Sequence, residues 1–241
     1  MVPINEFGTE AQKQKYLPKL ATGEWLAAYA LSEPGAGSDA LAAKTIAKLT
    51  PDKKQWILNG TKAWITNAGF ADVFIVFATI NPEAGYRGIT AFLVDRGTPG
   101  FTVGKKEDKL GIRASSTCEL LFDNCIVPKS QILGEVGKGY APMQLRLRTR
   151  RLEMGSTCIG IAKRALDMLC EHARQRETFG VKLADRQAIQ WWVADISTRI
   201  HACRLMVLDA ADKTDRGEDV RQEASMIKVF ATEMASDIID H

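Results

Sequence analysis

The apolar residues of this chain change their spacing twice, and that change limits the folds open to it. From residue 25 to residue 128 they come in short runs rich in Val, Ile, Phe and Thr: Trp25–Leu31, Thr45–Leu49, Gln55–Leu58, Lys62–Thr66, Val73–Ala78, Gly88–Val94 and Cys118–Phe122. Turn residues separate the runs. Short strands at this spacing predict a compact β-barrel or sandwich of about a hundred residues. Asn59-Gly60, between two runs, predicts a tight hairpin, because a primed two-residue turn needs positive φ at both positions. From residue 139 the repeat becomes three and four. Pro142 can open a helix. Ile159, Ala162, Leu166, Leu169 and Ala173 fall on one helical face. So do Ile189, Val193, Ile196, Ile200, Cys203 and Val207, and then Ala224, Ile227, Ala231, Met234 and Ile238. Gly180 and Gly217 punctuate these stretches. Long antiparallel helices with apolar seams predict a helical bundle. The fold class is therefore α+β and multi-domain: a central β-barrel or sandwich, then long antiparallel helices of a four-helix-bundle domain.

Residues 1–24 have a third character. Thr9 can cap a helix, and Ala11 to Leu17 give a short Lys-rich amphipathic stretch, which Pro18 and Gly23 are expected to break. At the other end the apolar period of the third long helix still runs at His241. A complete bundle needs one more helix, so the natural protein is expected to extend beyond both ends of this sequence.

Composition excludes several classes. The chain has 241 residues, 46% hydrophobic and 25% charged, enough for one large or two modest domains. A net charge of +3 is too small to argue for a nucleic-acid partner. No apolar run approaches the roughly 20 residues of a membrane span, and residues 1–24 lack a signal-peptide core. Five scattered cysteines without a CxxC pair read as reduced thiols in an intracellular protein. Three histidines, one of them the last residue, leave little for a metal site, and none is expected.

Residues 29–39, Tyr-Ala-Leu-Ser-Glu-Pro-Gly-Ala-Gly-Ser-Asp, carry the strongest chemical signal. A strand can lay its backbone N–H and C=O groups along a flat polar ring, and Ser32 can put a hydroxyl at the ring edge. Gly35 and Gly37 let the backbone approach a phosphate, and Ser38 can donate to it. By itself a Gly-Ala-Gly-Ser loop is equally a surface turn. Trp64 in an alternating strand is by itself a core residue, Phe179 beside Gly180 a packing residue, and Arg176 and Gln187 solvated helix surface.

As an ordered unit, Ala30 to Ala42 resembles the first signature of the acyl-CoA dehydrogenases, flavoenzymes that desaturate acyl-CoA thioesters. Lys62-Ala63-Trp64-Ile65-Thr66-Asn67 is similar to the family's second flavin-contacting strand. Leu110-Gly111-Ile112-Arg113-Ala114-Ser115 and Val127-Pro128 match later landmarks of its sheet. Arg176-Glu177-Thr178-Phe179-Gly180, with Gln187, resembles the helix segment that reaches a neighbouring subunit's FAD. The resemblance runs through essentially the whole chain. It implies the tail of an N-terminal helical domain (1–24), a β-barrel flavin-binding domain (25–138) and an incomplete C-terminal helical bundle domain (139–241).

It also implies FAD, with Tyr29, Leu31 and Ser32 along the flavin and Gly37 and Ser38 at phosphate and CoA groups. Trp64 covers one face, with Ile65 and Thr66 at the ring edge. Arg176, Phe179 and Gln187 bind the adenosine-diphosphate half of the FAD of another subunit. Ser38, Arg148 and Arg151 are the implied acyl-CoA contacts; as a charge run, Arg146, Arg148, Arg150 and Arg151 are otherwise a solvated face. The implied reaction removes the acyl α-proton with a carboxylate and passes the β-hydrogen as hydride to flavin N5. Electrons then go to an electron-transfer flavoprotein, from a homodimer or homotetramer in a bacterial cytoplasm or, in a eukaryote, the mitochondrial matrix or peroxisome. An acyl-CoA oxidase or flavin monooxygenase on the same fold, or a non-catalytic flavin-binding module, are the alternatives.

The chain departs from the family at the base. The carboxylate is expected C-terminal to His241, so no catalytic residue is assigned within the chain. A subset of the family places it where this chain has Arg150, which cannot serve as a base. Glu153 lies three residues on, turned about 300° around the helix axis. The family's second, Gly-Gly-containing signature is also absent.

Overall fold

The computed structural model describes residues 1–240. The chain divides at Leu145/Arg146 into two compact units.

The first unit is built on one eight-stranded sheet. Its strands are β1 (Ala27–Ala30), β2 (Ile46–Leu49), β3 (Gln55–Thr66), β4 (Val73–Thr79), β5 (Ile89–Asp95), β6 (Phe101–Lys106), β7 (Thr117–Pro128) and β8 (Ile132–Leu133). They lie in the order β6-β7-β3-β2-β4-β5-β8, and β1 pairs in parallel with β4 through Ala27↔Val73 to Ala30↔Val76. The sheet folds over on itself. Phe74 of β4 meets Phe101 of β6 edge-on, with centroids 4.7 Å apart, although three strands separate them along the sheet. Trp56, Leu58, Phe74, Val76, Phe92, Leu120 and Phe122 close one core inside the curl. Every residue of β4 is buried, which is why it reads as an unbroken apolar run and does not alternate.

Helices α1 (Val2–Phe7) and α2 (Glu10–Thr22) belong to this unit. Thr9 caps α2 in a reciprocal box: its hydroxyl accepts from the Gln12 amide at 3.2 Å, and Gln12 Oε1 accepts from the Thr9 amide at 3.0 Å. Gln12 Nε2 also donates to the carbonyls of Ser130 and Ile132, at 2.7 and 2.8 Å. Tyr16 is fully buried and donates to Asp95 at 2.8 Å. Pro18 does not break the helix as expected. Tyr16 and Leu20, buried on either side of it, anchor the helix to the sheet and outweigh the missing N–H. The helix ends at Gly23 in the left-handed conformation.

The expected Asn59-Gly60 hairpin is also corrected. β3 is one strand of 12 residues that runs straight through this pair. Gly60, at φ +147°, sits at a register shift opposite β7 between Leu58 and Gly60. A Cβ there would lie 2.7 Å from the Thr45 Cα. Gly therefore serves a bulge, which asks for the same residue as a turn. The turn between β2 and β3 falls at Thr50–Gln55, where the Thr50 amide donates to the Gln55 carbonyl at 2.9 Å and Lys53 takes φ +57°. β6 and β8 were not anticipated, and β7 runs on to Pro128 beside β3.

The second unit carries most of α3 (Tyr140–Gln175), then α4 (Gln187–Asp215) and α5 (Arg221–Asp240). Cys158, Ala162, Ile196, Cys203, Ala231, Met234 and Ile238 form its seam. The expected α5 row is buried throughout. Gly155 is needed on α3, because a Cβ there would overlap Ile227 of α5. Between α3 and α4 the chain is a small hairpin, β9 (Glu177–Thr178) and β10 (Val181–Lys182), not the helix segment expected over Arg176–Gly180. Phe179 and Gly180 form its turn at φ +53° and +71°. Two positive φ angles define a primed turn, with Phe in a position that usually takes Asn or Gly.

Candidate functional site

In the first unit the site grows from the point where β1 meets β3. The Ser32 carbonyl accepts from the Ala63 amide at 2.9 Å. On either side of Ser32, one ammonium makes two further bonds. Lys62 Nζ donates to the Leu31 carbonyl at 3.0 Å and to Glu33 Oε1 at 2.8 Å. These two charged side chains are 0% and 7% exposed. The Glu33 carboxylate also accepts from the backbone amides of Lys44, at 2.6 Å, and Thr45, at 2.9 Å. Burial works to raise the Glu33 carboxyl, but the Lys62 charge and these hydrogen bonds outweigh it and hold it below the usual carboxylate range. Burial pushes the Lys62 ammonium down, against the pull of Glu33.

Both residues lie inside the two motifs, yet neither is assigned a role by the sequence alone. The signal was a lysine in the apolar stretch Ala63-Trp64-Ile65. Its partner lies 29 residues away, which only strand pairing reveals.

Beyond Lys62 the strand bulges again, between Lys62 and Ile65. Trp64 takes φ +60° and stands 62% exposed. Thr66 is exposed too, while Ile65 packs into the core. Of the expected trio, then, Trp64 and Thr66 present side chains outward, and Ile65 has only its backbone to offer there. Tyr29 is half-buried, its ring 5.0 Å from that of Phe77 and its hydroxyl 3.5 Å from the Met143 carbonyl. Leu31 is buried at the edge of a cavity of about 310 Å³ that Leu41, Lys44, Phe77 and Thr79 also line. Gly35, Gly37 and Ser38 are exposed. Glu33 and Ala36 exchange backbone bonds at 3.0 and 3.1 Å, which closes the turn. A Cβ on Gly35 or Gly37 would meet nothing within 4 Å, and neither residue has a positive φ. The fold itself therefore makes no demand for glycine at these two positions.

In the second unit, Arg176, Phe179 and Gln187 are all exposed. Phe179, at the hairpin tip, is 98% exposed. Arg186 braces the hairpin, donating to the Thr178 carbonyl at 2.7 Å and its hydroxyl at 3.0 Å. Gln187 opens α4. Arg148 lies 3.7 Å from Asp219, and Arg151 is exposed on α3. Arg146 grips Glu153 with two bonds, at 2.8 and 3.2 Å, and Arg150 adds a third at 2.9 Å. The Arg146 hydrogen bonds above all, with those from Arg150, hold the Glu153 carboxyl below its usual range. A carboxylate so stabilised is a poor proton acceptor.

The outward set suits a flavin dinucleotide. Trp64 offers an exposed flat face, Thr66 is exposed two residues on and Ser32 half-buried, and a Cβ on Gly35 or Gly37 would meet nothing within 4 Å, which leaves room for a phosphate.

Comparison with known proteins bears on the family. Residues 28–125 match the acyl-CoA dehydrogenase middle domain, 137–241 the C-terminal domain and 1–24 the N-terminal domain. An acyl-CoA dehydrogenase of Bacillus subtilis is 46% identical over 97% of this chain and 61% of its own length. The three-dimensional structure of butyryl-CoA dehydrogenase from Megasphaera elsdenii superposes with a TM-score of 0.95 at 43% identity, over 98% of this chain and 62% of that one. A chain from the structural study of the electron transferring flavoprotein of Acidaminococcus fermentans matches with a TM-score of 0.94 at 41% identity, over 98% of this chain and 62% of that one. The chain thus spans about three fifths of the length of curated relatives it matches. With three domain models of one family in sequence order along it, the chain belongs to the acyl-CoA dehydrogenase family.

Proposed function

We propose that this chain supplies the flavin-holding wall and part of the thioester cleft of an FAD-dependent acyl-CoA dehydrogenase. In this reading residues 25–138 hold the flavin, 139–241 belong to the helical bundle domain and 1–24 to the N-terminal helical domain. One observation carries the reading: Trp64 is held outward at φ +60°, one residue past the Ala63 amide that binds the Ser32 carbonyl. A bulky residue in this backbone region costs on the order of 1–3 kcal/mol and persists where the surroundings fix it for a purpose.

Bound FAD would supply the two-electron acceptor that desaturation of an acyl-CoA requires. The chain's own residues bind and orient. Trp64 covers one ring face. Ser32 and Thr66 donate hydroxyls at the ring edge, with the backbone of Tyr29, Leu31 and Ile65 alongside. Gly35, Gly37 and Ser38 present amides and a hydroxyl to phosphate oxygens. Arg176, Phe179 and Gln187, on an exposed hairpin and helix start, engage the adenosine-diphosphate half of an FAD held by a second copy of the chain. Arg148 and Arg151 face the CoA ester, where guanidinium forks suit phosphate and carbonyl oxygens. Glu153 is not assigned as the base, since the hydrogen bonds from Arg146 and Arg150 occupy its oxygens and lower its affinity for a proton. A homo-oligomer and an electron-transfer flavoprotein partner follow the family pattern, as does an acyl-CoA substrate.

Expression followed by a visible spectrum tests the reading. The purified chain, supplied with FAD, is expected to be yellow after desalting, with the flavin retained. A chain that stays colourless refutes it. Addition of acyl-CoA esters to the yellow chain is expected to leave the band unbleached, and bleaching would place a base within these residues.

A further inference from the structure

We infer that the buried Lys62–Glu33 pair is a positioning device that sets Ser32 against Trp64 and closes both ends of the glycine loop. The inference rests on the flavin reading above and adds these two residues to it. Three bonds tie residues 31–33 to residues 62–63: Lys62 to the Leu31 carbonyl, the Ala63 amide to the Ser32 carbonyl, and Lys62 to the Glu33 carboxylate. Ser32 sits at the centre of the three, so its backbone has little freedom to shift or turn. Trp64 leaves the strand immediately beyond the same contact, at a bulge.

Glu33 does a second task. Its carboxylate takes the amides of Lys44 and Thr45, so the chain that leaves at Pro34 and returns at Lys44 is gathered onto one side chain. Gly35, Gly37 and Ser38 all lie on this stretch. The position of the candidate phosphate loop and that of the candidate ring face are therefore set by one buried ion pair.

Stability alone does not account for such a pair. Replacing a buried ion pair with apolar groups of similar volume is often neutral or stabilising, whereas removing one partner is costly. Lys62 is the only charged residue of β3, fully buried in a strand whose other buried residues, Trp56, Leu58, Ala63 and Ile65, are all apolar. What a Met and a Gln could not reproduce is the bridge from one ammonium to both the Leu31 carbonyl and the Glu33 carboxylate, on either side of Ser32.

The test uses the whole chain loaded with FAD, with the double variant Lys62→Met/Glu33→Gln and the single variant Glu33→Gln. Denaturation midpoints report the fold. The FAD dissociation constant and the shape of the visible flavin band report the site. The double variant is expected to unfold cooperatively near the midpoint of the unaltered chain, to bind FAD at least tenfold more weakly and to lose the resolved shoulders of the flavin band. A merely structural pair would leave both flavin readouts unchanged once stability is restored, and that result overturns the inference while leaving the flavin reading intact. An unaltered chain that binds no FAD overturns both. Should the double variant not fold, Glu33→Gln decides by the same two readouts, because its one amide oxygen can still take the Thr45 amide and the Lys62 ammonium that Glu33 Oε1 takes, losing the bond from Lys44.

Discussion

Replacing Gly37 by Ala separates what the fold needs from what a ligand needs. The added methyl would meet no atom of the chain within 4 Å, and the backbone there is not left-handed. Gly→Ala at such a site stabilises by about 0.4–1 kcal/mol, through the narrower unfolded ensemble. If the 35–38 turn receives a phosphate, however, the methyl stands where the phosphate must approach. Losing one hydrogen bond to a charged group costs about 1.5–3 kcal/mol, a fall in affinity of roughly 10- to 150-fold.

Gly60→Ala should behave in the opposite way. Its Cβ would lie 2.6 Å from Thr45 Oγ1 and 2.7 Å from Thr45 Cα, at φ +147°. Rotation of Thr45 relieves only the first contact, because the second is backbone of the neighbouring segment. Strain of roughly 1–3 kcal/mol and overpacking of about 1–3 kcal/mol sum to a large part of the 5–15 kcal/mol that typically holds a domain. Urea denaturation and titration with FAD and with a CoA ester read both variants. A Gly37→Ala chain that loses more than about 1 kcal/mol refutes the claim that the fold makes no use of this glycine. If it keeps both its stability and its ligand affinity, the phosphate assignment fails. Gly60→Ala within about 0.5 kcal/mol of the unaltered chain would refute the steric argument.

Three further outcomes are expected. The Glu33 carboxyl is held low, so its contribution to stability is present above the ordinary carboxylate range and is lost as pH falls through its folded value. The difference in melting temperature between the unaltered chain and Glu33→Gln should therefore shrink below about pH 4, and a difference that stays constant from pH 7 to pH 3 contradicts this. Trp64→Gly should leave the denaturation midpoint nearly unchanged, since release of roughly 1–2 kcal/mol of left-handed strain offsets the added freedom of the unfolded chain. The same variant should lose most of its FAD affinity, and intact affinity would remove Trp64 from the site. Glu153→Gln in the longest catalytically active form of the protein should leave turnover within about twofold, whereas loss of a general base costs about 10²–10⁴.

Much of the architecture was legible in the chain because hydrophobic period is a local consequence of local geometry. β4 and β5 stood out as apolar runs, and the α5 row Ala224, Ile227, Ala231, Met234 and Ile238 is buried as its spacing required. The Thr9 cap was readable for the same reason, since a capping box is settled within four residues. The segments that would face a ligand were readable as ordered motifs, Tyr29 to Asp39 and Lys62 to Asn67.

Tertiary structure decided whatever depended on partners distant in sequence. Asn59-Gly60 satisfies a turn and a bulge equally well, and only the pairing of β3 with β7 selects the bulge. Pro18 stays helical because burial of Tyr16 and Leu20 exceeds a local preference. Phe179 tips a hairpin that the helical pattern on both sides concealed. Period alone would place the side chains of Trp64 and Thr66 together, but the bulge after Lys62 is what turns Trp64 to a left-handed backbone and out of the sheet. The pairing of Glu33 with Lys62 lies furthest from the sequence's reach. Each is an ordinary charged residue in its own motif, and they become one buried unit only when β1 is laid against β3.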